Sequence, residues 1–439
     1  MPTPSLILVP ARFKTGKLYT PLATTSGGVV LGASGDFNVT RALNTATRVN
    51  ESGLIEVVAS GIPRLDYFAS GGTVGCPALL VEPSAQNLVF HSSDWTSNWN
   101  AGSASGTTIV TNSAISLAPD GTATANEIYP TSGNTNHVRT SNSTTAVTYV
   151  SGTVYTQSAF FKAGIGVGMQ VQLQGPAARF AQLGYANFDL INGLVFVVSG
   201  TTADTNRAAR IESYGNGWYR CSYTATCTSA GTGVGFAATL IAASGDTRLP
   251  SFSGTVTDYL LGWGAQLETG SVATSYIPTT TAAVTRNADV ISVSGAVSGA
   301  IGQTSGTFYL DIAYALRGTS TGNRWLELSS ATNNIGLAVA GTDLVRSIVN
   351  GQSDILTTPS TALGIKIAWG YDGSGVVLFV NGTQYTLTNG GAQVITSLDK
   401  VLIDMSSTAG TRMAYARIRA AALYTTRLTN AELATLTTL

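Results

Sequence analysis

Period-two alternation of apolar and polar residues dominates this chain. Its clearest run opens Asp258–Asp289, DYLLGWGAQLETGSVATSYIPTTTAAVTRNAD. Tyr259, Leu261, Trp263, Ala265 and Leu267 fall on one face of a predicted strand. Leu260, Gly262, Gly264, Gln266 and Glu268 fall on the other. The two glycines on that second face leave room for something to approach the backbone closely. Beyond this strand the chain runs through Thr, Pro and Ala with no apolar periodicity, so 271–290 reads as an extended tether.

Upstream, GCPALLVEPSAQNL (Gly75–Leu88) opens a domain, with Pro77 and Pro83 bracketing an edge-type strand. ANEIYP, VTYVSGTVYTQSAFFKAG, AQLGYANFDLINGLVFVVSG and NGWYRCSYTATC then read as strands separated by Gly, Asn and Ser turns. Asn192-Gly193 between apolar runs is a strong hairpin signal. Trp218, Arg220 and Ser222 alternate against Tyr219, Cys221 and Tyr223. Roughly ten strands over 76–270 argue for a β-sandwich.

Residues 291–439 read as a second sandwich. TFYLDIAYAL puts Phe308, Leu310, Ile312 and Tyr314 on one face. ALGIKIAWGY does the same for Leu363, Ile365, Ile367, Trp369 and Tyr371. VVLFVNGTQYTL is a hairpin at Asn381-Gly382, and AYARIRAAALY is a late strand. RLTNAELATLTTL is the one convincing helix. Thr429 and Glu432 have capping-box spacing, and Leu428, Ala431, Leu433, Leu436 and Leu439 are placed to cover a sheet edge. No fixed-period repeat suggests a solenoid or propeller.

Residues 1–75 contain short strand-like runs, among them Phe37–Tyr67, but too little apolar mass for a core of their own. The segment is expected to pack on something else: the next domain, a sister subunit or a docking partner. The predicted class is therefore all-β, two tandem β-sandwich (jelly-roll) domains preceded by an extended N-terminal docking segment. Phe37, Arg41, Arg48, Leu54 and Ile55 are the candidate docking residues.

Composition narrows the picture. Charged residues are 10% of the 439, while 44% are hydrophobic, which excludes the low-hydrophobicity signature of disorder. Lys+Arg and Asp+Glu balance at 23 each, so no basic field is available for nucleic acid or an anionic membrane. No run approaches the roughly 20 apolar residues of a membrane span, and the N-terminus lacks the layout of a secretory signal. The protein is expected to be made in a cytosol and to leave it, if at all, by lysis or assembly. Cys76, Cys221 and Cys227 give an odd count and no disulfide framework. Cys221 and Cys227 on one strand would stand roughly 20 Å apart.

Three places resemble phage structural proteins. Phe37–Tyr67 joined to CPALLVEPSAQNLV resembles the leader of tailed-phage head-fibre and minor virion proteins. SDWTSNWN (Ser93–Asn100), GTATANEIYP, NGWYRCSYTATC and the Asp258–Asp289 stretch are together similar to the carbohydrate-binding-module-like jelly roll that follows such leaders. Residues 305–439 resemble a concanavalin-A-like or laminin-G-like sandwich, marked by LFVNGTQYTL and RLTNAELATL. The resemblance implies a virion location, homo-oligomers (commonly trimers), capsid or tail partners reached through the N-terminus, and contact with host-surface glycan. A tail receptor-binding fibre or adaptor is the runner-up, and a glycan depolymerase is a weaker alternative.

The search for chemistry favours a non-enzyme. A glycosidase needs two carboxylates about 5–10 Å apart. The retaining glucanases that the second sandwich resembles carry an E-x-D-x-x-E pattern, which is absent here. Asp189, Glu212, Asp258, Glu268, Asp311, Glu327 and Asp404 are scattered. No G-x-S-x-G elbow, P-loop or zinc spacing is present, and His91 and His137 lack partners. The laminin-G-like resemblance allows for calcium, yet no run of alternating Asp/Asn supports a site, so neither metal nor cofactor is expected. Sugar modules stack aromatic faces on pyranose rings. Trp95, Trp99 and Asn98 in the first sandwich, and Trp325 beside Arg324 in a turn-like TGNRW in the second, are the candidate carbohydrate-binding residues. Against that, Trp95 and Trp99 also suit a role pinning the first strand to the core, and Trp218 and Trp263 read as core. V-T-R occurs both at Arg41 and at Arg286, which reads as coincidence.

Overall fold

Asn381 and Gly382 both adopt positive φ, +47° and +80°, as a two-residue hairpin requires, and Val380 pairs directly with Thr383. The predicted alternations likewise become strands. Phe308, Leu310 and Ile312 share one buried cluster with Ile365, Ile367, Trp369 and Tyr371. A computed structural model of the chain describes all residues except 9, 11–12, 19–35, 44, 70–71, 101–105, 143–145, 181–183, 201–203, 205, 295–298, 317–322, 331–332, 340–343, 350–351, 358–363, 388–390, 392–396 and 404–414. Side chains are also undescribed at 72–74, 100, 169, 314–316, 323–325, 338–339, 344–349 and 352–357. Leu363 and Asp404, and the side chain of Tyr314, therefore lie outside the described residues.

The first surprise is where the N-terminus goes. One sheet of the C-terminal sandwich runs, in order, Thr383–Tyr385, Gly375–Val380, Ile365–Asp372, Gly306–Leu316, Tyr415–Tyr424, Gly72–Val81 and Arg64–Ala69, and Leu6–Leu8 also pairs with Tyr415–Tyr424. The facing sheet runs Phe13–Lys14, Lys17–Leu18, Phe37–Thr40, Val290–Ser294, Lys400–Ile403, Asn323–Ser329, Asn334–Val339, Leu344–Val349 and Gln352–Thr357. Both sheets are completed by residues from the first 81. Residues 1–75 thus supply strands to this sandwich rather than standing apart from it. Of the three expected destinations, they take domains of their own chain: most of their strands complete the far sandwich, and the hairpin Ala46–Val49 and Ile55–Val58 packs on the next one. The reason is mass action within one molecule: a leader without a core finds open sheet edges at high effective concentration.

The middle module is built from contiguous chain. One six-stranded sheet runs Trp99–Asn100, Val138–Ser141, Ala237–Leu240, Gln170–Gln174, Tyr185–Asp189 and Leu194–Ser199. The other runs Thr107–Val110, Asn126–Pro130, Tyr259–Thr269, Val154–Ile165, Trp218–Thr226 and Ala208–Ser213. Between them lie Phe161, Val171, Leu173, Phe188, Cys221, Tyr223 and Leu240.

The long strand Tyr259–Thr269 corrects the single alternation expected for it. Ser158 pairs with Gln266 but Phe160 with Trp263, a bulge at Gly264, whose φ is +62°. A bulge with glycine in the left-handed region reverses the facing of the residues beyond it. Leu261 and Trp263 consequently pack on the outer face, while Ala265 and Leu267 enter the inter-sheet core. The expected close approach is real. A Cβ on Gly262 would lie 2.5 Å from the Trp95 ring, and one on Gly264 would lie 3.0 Å from Phe160.

The seam between modules is well packed. The hairpin of Ala46–Val49 and Ile55–Val58 lays Val49 and Ile55 against Phe160, Trp218, Trp263 and Tyr276 of the middle module. Ala85–Asn87 pairs with Val284–Arg286. The expected tether 271–290 is extended but clamped, with Thr274, Tyr276, Ile277, Thr279, Arg286 and Asp289 all buried. Helix Asn430–Thr437 has the predicted capping box between Thr429 and Glu432. Leu428 and Leu433 pack on the outer face of the Gly306–Leu316 sheet, against Tyr309, Ala368 and Phe379. The helix covers a face rather than an edge, and Leu439 stays exposed. No helix among the described residues is long and apolar enough to cross a membrane.

Candidate functional site

Trp95 and Trp99 stand on the short turn that starts the middle module. Asn98, at φ +57°, turns the chain so that both rings point inward. The rings stack on each other at 4.6 Å and 10° and are at most 5% exposed. Their indole N–H groups donate to the carbonyls of Ser92, Phe90 and His91. A ring whose face is already covered cannot receive a sugar, so this pair pins the strand to the core and is corrected as a carbohydrate site. Trp218, Trp263 and Trp369 are buried too. Arg324 and Trp325 sit in the strand Asn323–Ser329, not in a turn, and their side chains lie outside the described residues.

Two recesses among the described residues offer no alternative. A recess lined by Asp66, Phe160, Tyr214, Tyr276 and Arg417, and another lined by Tyr149, Gln157, Phe180 and Tyr223, measure about 10 Å³ each. That is room for about one water, not a pyranose. Among the described residues no group of three or more His, Cys, Asp or Glu is placed to hold a metal ion. His137 is buried between the carbonyls of Gly106 and Phe252. The expected acids have local roles. Asp189 accepts from the backbone of Ile191 and Asn192 in the Asn192-Gly193 turn. Glu268 holds Thr274 and Gln266, and Asp311 faces Arg419 at 3.6 Å.

Of the five expected docking residues, Phe37, Arg41 and Ile55 are buried within the molecule, while Leu54 and Arg48 are partly exposed. Phe37 lies in the core of the C-terminal sandwich. Ile55 packs on the middle module, and its N–H donates to Pro119. Leu54 abuts Gly121, where an added Cβ would come within 3.0 Å. Arg48 pairs across its hairpin with Glu56 at 2.7 Å. Arg41 is 3% exposed and donates to Asp289 at 2.8 Å. Arg286 is buried in the same cluster, joined to Glu82 at 3.4 Å. The repeated V-T-R thus brings two arginines to one place.

Among the described residues, part of the outer face of the middle module, beyond the ground covered by the leader hairpin, is open. On Asn126–Pro130, Ile128 enters the core, so Glu127 and Tyr129 face out. Leu260 turns Tyr259 outward by the same rule. Thr108 is opposite Tyr129 and Ile165 opposite Tyr259, which gives a row Thr108, Tyr129, Tyr259, Ile165 across four strands. The two tyrosine rings are half-buried, 5.8 Å apart and inclined at 46°. Thr108 is exposed, and Ile165 is 49% exposed. Glu127 is buried beneath and takes hydrogen bonds from Ser113 and from the Tyr129 hydroxyl, each 2.5 Å. That hydrogen bond, with burial and the carboxylate charge, pushes the Tyr129 hydroxyl up to about 12. The loop Gly164–Gly168 closes on Tyr259 because glycine alone allows it: a Cβ at Gly164 or Gly168 would overlap the Tyr259 carbonyl. Chemically the row offers two aromatic faces, a hydroxyl in a fixed direction and an aliphatic flank. Residue types alone did not mark it. Its one signal is the strand-end tyrosines in EIYP and DYLL, and only strand register brings them together.

No protein-family model and no curated protein matches the chain. Among solved structures, it is similar to a Ruminococcus gnavus IT-sialidase CBM40 bound to α2,3-sialyllactose, at 16% identity and TM-score 0.28, covering 32% of this chain and 87% of that one. It is similar to domain 4 of AbnA, a GH43 extracellular arabinanase from Geobacillus stearothermophilus, in complex with arabinotriose, at 14% identity and TM-score 0.28, covering 34% and 73%. It is also similar to a binding domain of botulinum neurotoxin DC in complex with rat synaptotagmin II, at 8% identity and TM-score 0.28, covering 34% and 40%. Likeness at this level transfers no site residue and no ligand.

Proposed function

We propose that this chain is a non-catalytic display protein of a tailed-phage virion that touches host-surface glycan through its inserted sandwich. The observation that carries the glycan reading is the outer row Thr108, Tyr129, Tyr259, Ile165, with Tyr129 aimed by the buried Glu127. Apolar sugar faces stack on such rings while hydroxyls take the polar groups. The virion context, on head or tail, rests on the sequence resemblance. So does homotrimerisation, which would turn a shallow, weak site into useful avidity. Attachment to the particle falls to a surface other than the buried leader residues.

The test is binding to an array of bacterial surface glycans by the full chain and by a Tyr129→Ala/Tyr259→Ala variant, with mass by light scattering. The expected result is a three-chain mass and a glycan signal that falls at least tenfold in the variant at an unchanged melting temperature. Binding that survives the double substitution, or no glycan bound at all, would remove the reading. A one-chain mass would remove the avidity argument.

A further inference from the structure

Five charged side chains meet at the seam between the sandwiches: Arg41, Arg64, Glu82, Arg286 and Asp289, each at most 3% exposed. They come from the leader, the strand Arg64–Ala69, the end of the strand Gly72–Val81 and the clamped segment. Three guanidinium groups face two carboxylates, so one positive charge is in excess.

Both carboxylates are already engaged. Asp289 accepts from Arg41 Nη1 at 2.8 Å, from Arg64 Nε at 3.3 Å, from Arg64 Nη2, and from the Glu82 N–H at 3.1 Å. Glu82 accepts from Arg64 Nη1 at 2.6 Å and from the Ser275 N–H and hydroxyl at 2.7 and 2.6 Å. Arg286 is different. Its Nη1 lies 3.4 Å from Glu82, yet Nε, Nη1 and Nη2 all lack a hydrogen-bond acceptor among the described residues. A guanidinium carries five N–H donors, and a buried charged donor left unmet is among the most unfavourable arrangements in a fold. The neighbouring pair Arg417–Asp66 is balanced in itself and supplies no counter-charge.

We infer that the seam binds a small monovalent anion of halide class against the Arg286 guanidinium. Water would satisfy donors but leave the excess charge. A halide does both. A divalent oxyanion would overshoot the single charge in excess.

The experiment uses the full chain with bromide as the probe. Melting temperature is followed in sodium bromide and in sodium gluconate at equal ionic strength, so that general screening is the same in both. A saturable rise with bromide is expected, and Arg286→Met should melt identically in the two salts. Crystals soaked in bromide should show an anomalous peak within hydrogen-bond reach of Arg286, a readout that needs no variant to fold. Equal melting of the wild type in both salts, or only ordered water or a protein carbonyl against Arg286 in the crystal, would overturn the inference.

Discussion

The two sandwiches are assembled from the chain in opposite ways. The middle one takes all twelve strands of its two main sheets from one continuous stretch between residues 99 and 269. The other takes strands from both ends of the chain, with Phe37 and Leu79 in the same core as Ile312 and Trp369. The middle module is therefore an insertion into a composite sandwich. The interfaces differ as well. Each sandwich is held inside by apolar packing, whereas the seam combines an apolar patch around Val49, Ile55 and Trp263 with buried ion pairs. Apolar cores tolerate variation in detail. A buried ion pair is unforgiving, because losing one partner leaves the other charged and dry.

That contrast is sharpest in fragments. Residues 291–439 alone lack the leader strands that complete both sheets. The expectation is an unfolded or aggregating fragment, restored to cooperative melting when 1–82 is supplied in trans, while 84–289 melts cooperatively by itself. Circular dichroism with thermal melting decides it, and a well-folded 291–439 would break the composite description.

Next in size is Asp289→Ala, which strands Arg41 and leaves Arg64 only Glu82 as its carboxylate partner. A loss of about 3–5 kcal/mol is expected, measured by urea unfolding, and a change below about 1 kcal/mol would mean that the seam is not energetically coupled.

Acid should act on the same place with a somewhat smaller effect. Burial pushes the Glu82 carboxyl up, but the charges of Arg286 and Arg64 and the Ser275 hydrogen bonds outweigh it and hold it at about 2, below its ordinary 4.5. A depressed carboxylate contributes stability that is complete above about pH 4.5 and is lost as pH falls through about 2. The size is on the order of 3 kcal/mol. Glu268 is displaced upward by burial and works in the other direction. Stability measured against pH should fall between about 4.5 and 2 in the wild type and stay flatter in Glu82→Gln. Parallel curves would assign the acid response to other groups.

Local rules were enough for much of this. Alternation marked the strands, Asn381-Gly382 marked a two-residue hairpin, and Thr429 with Glu432 marked the helix start. Each rests on residues within a few positions of one another. The same rules missed the bulge at Gly264, because a two-versus-one register exists only relative to the partner strand Val154–Ile165. They left Trp95 and Trp99 open between a sugar platform and a core pin, because two aromatics at one spacing suit an open platform and a closed stack equally, and Gly262 across the sheet decides which. Tyr129 and Tyr259 stand far apart in the chain and become one surface only through the pairing of their strands.

The chain by itself therefore determined the all-β class, the turn positions and the core-facing alternation, since these follow from backbone geometry and side-chain period. The tertiary structure alone decided that the leader completes the distant sandwich, that Arg41 and Arg286 share a buried seam, and which aromatics stay open to solvent. Those outcomes depend on which sheet edges meet, and edge pairing is set by the competition among all strands for burial rather than by any strand's own residues.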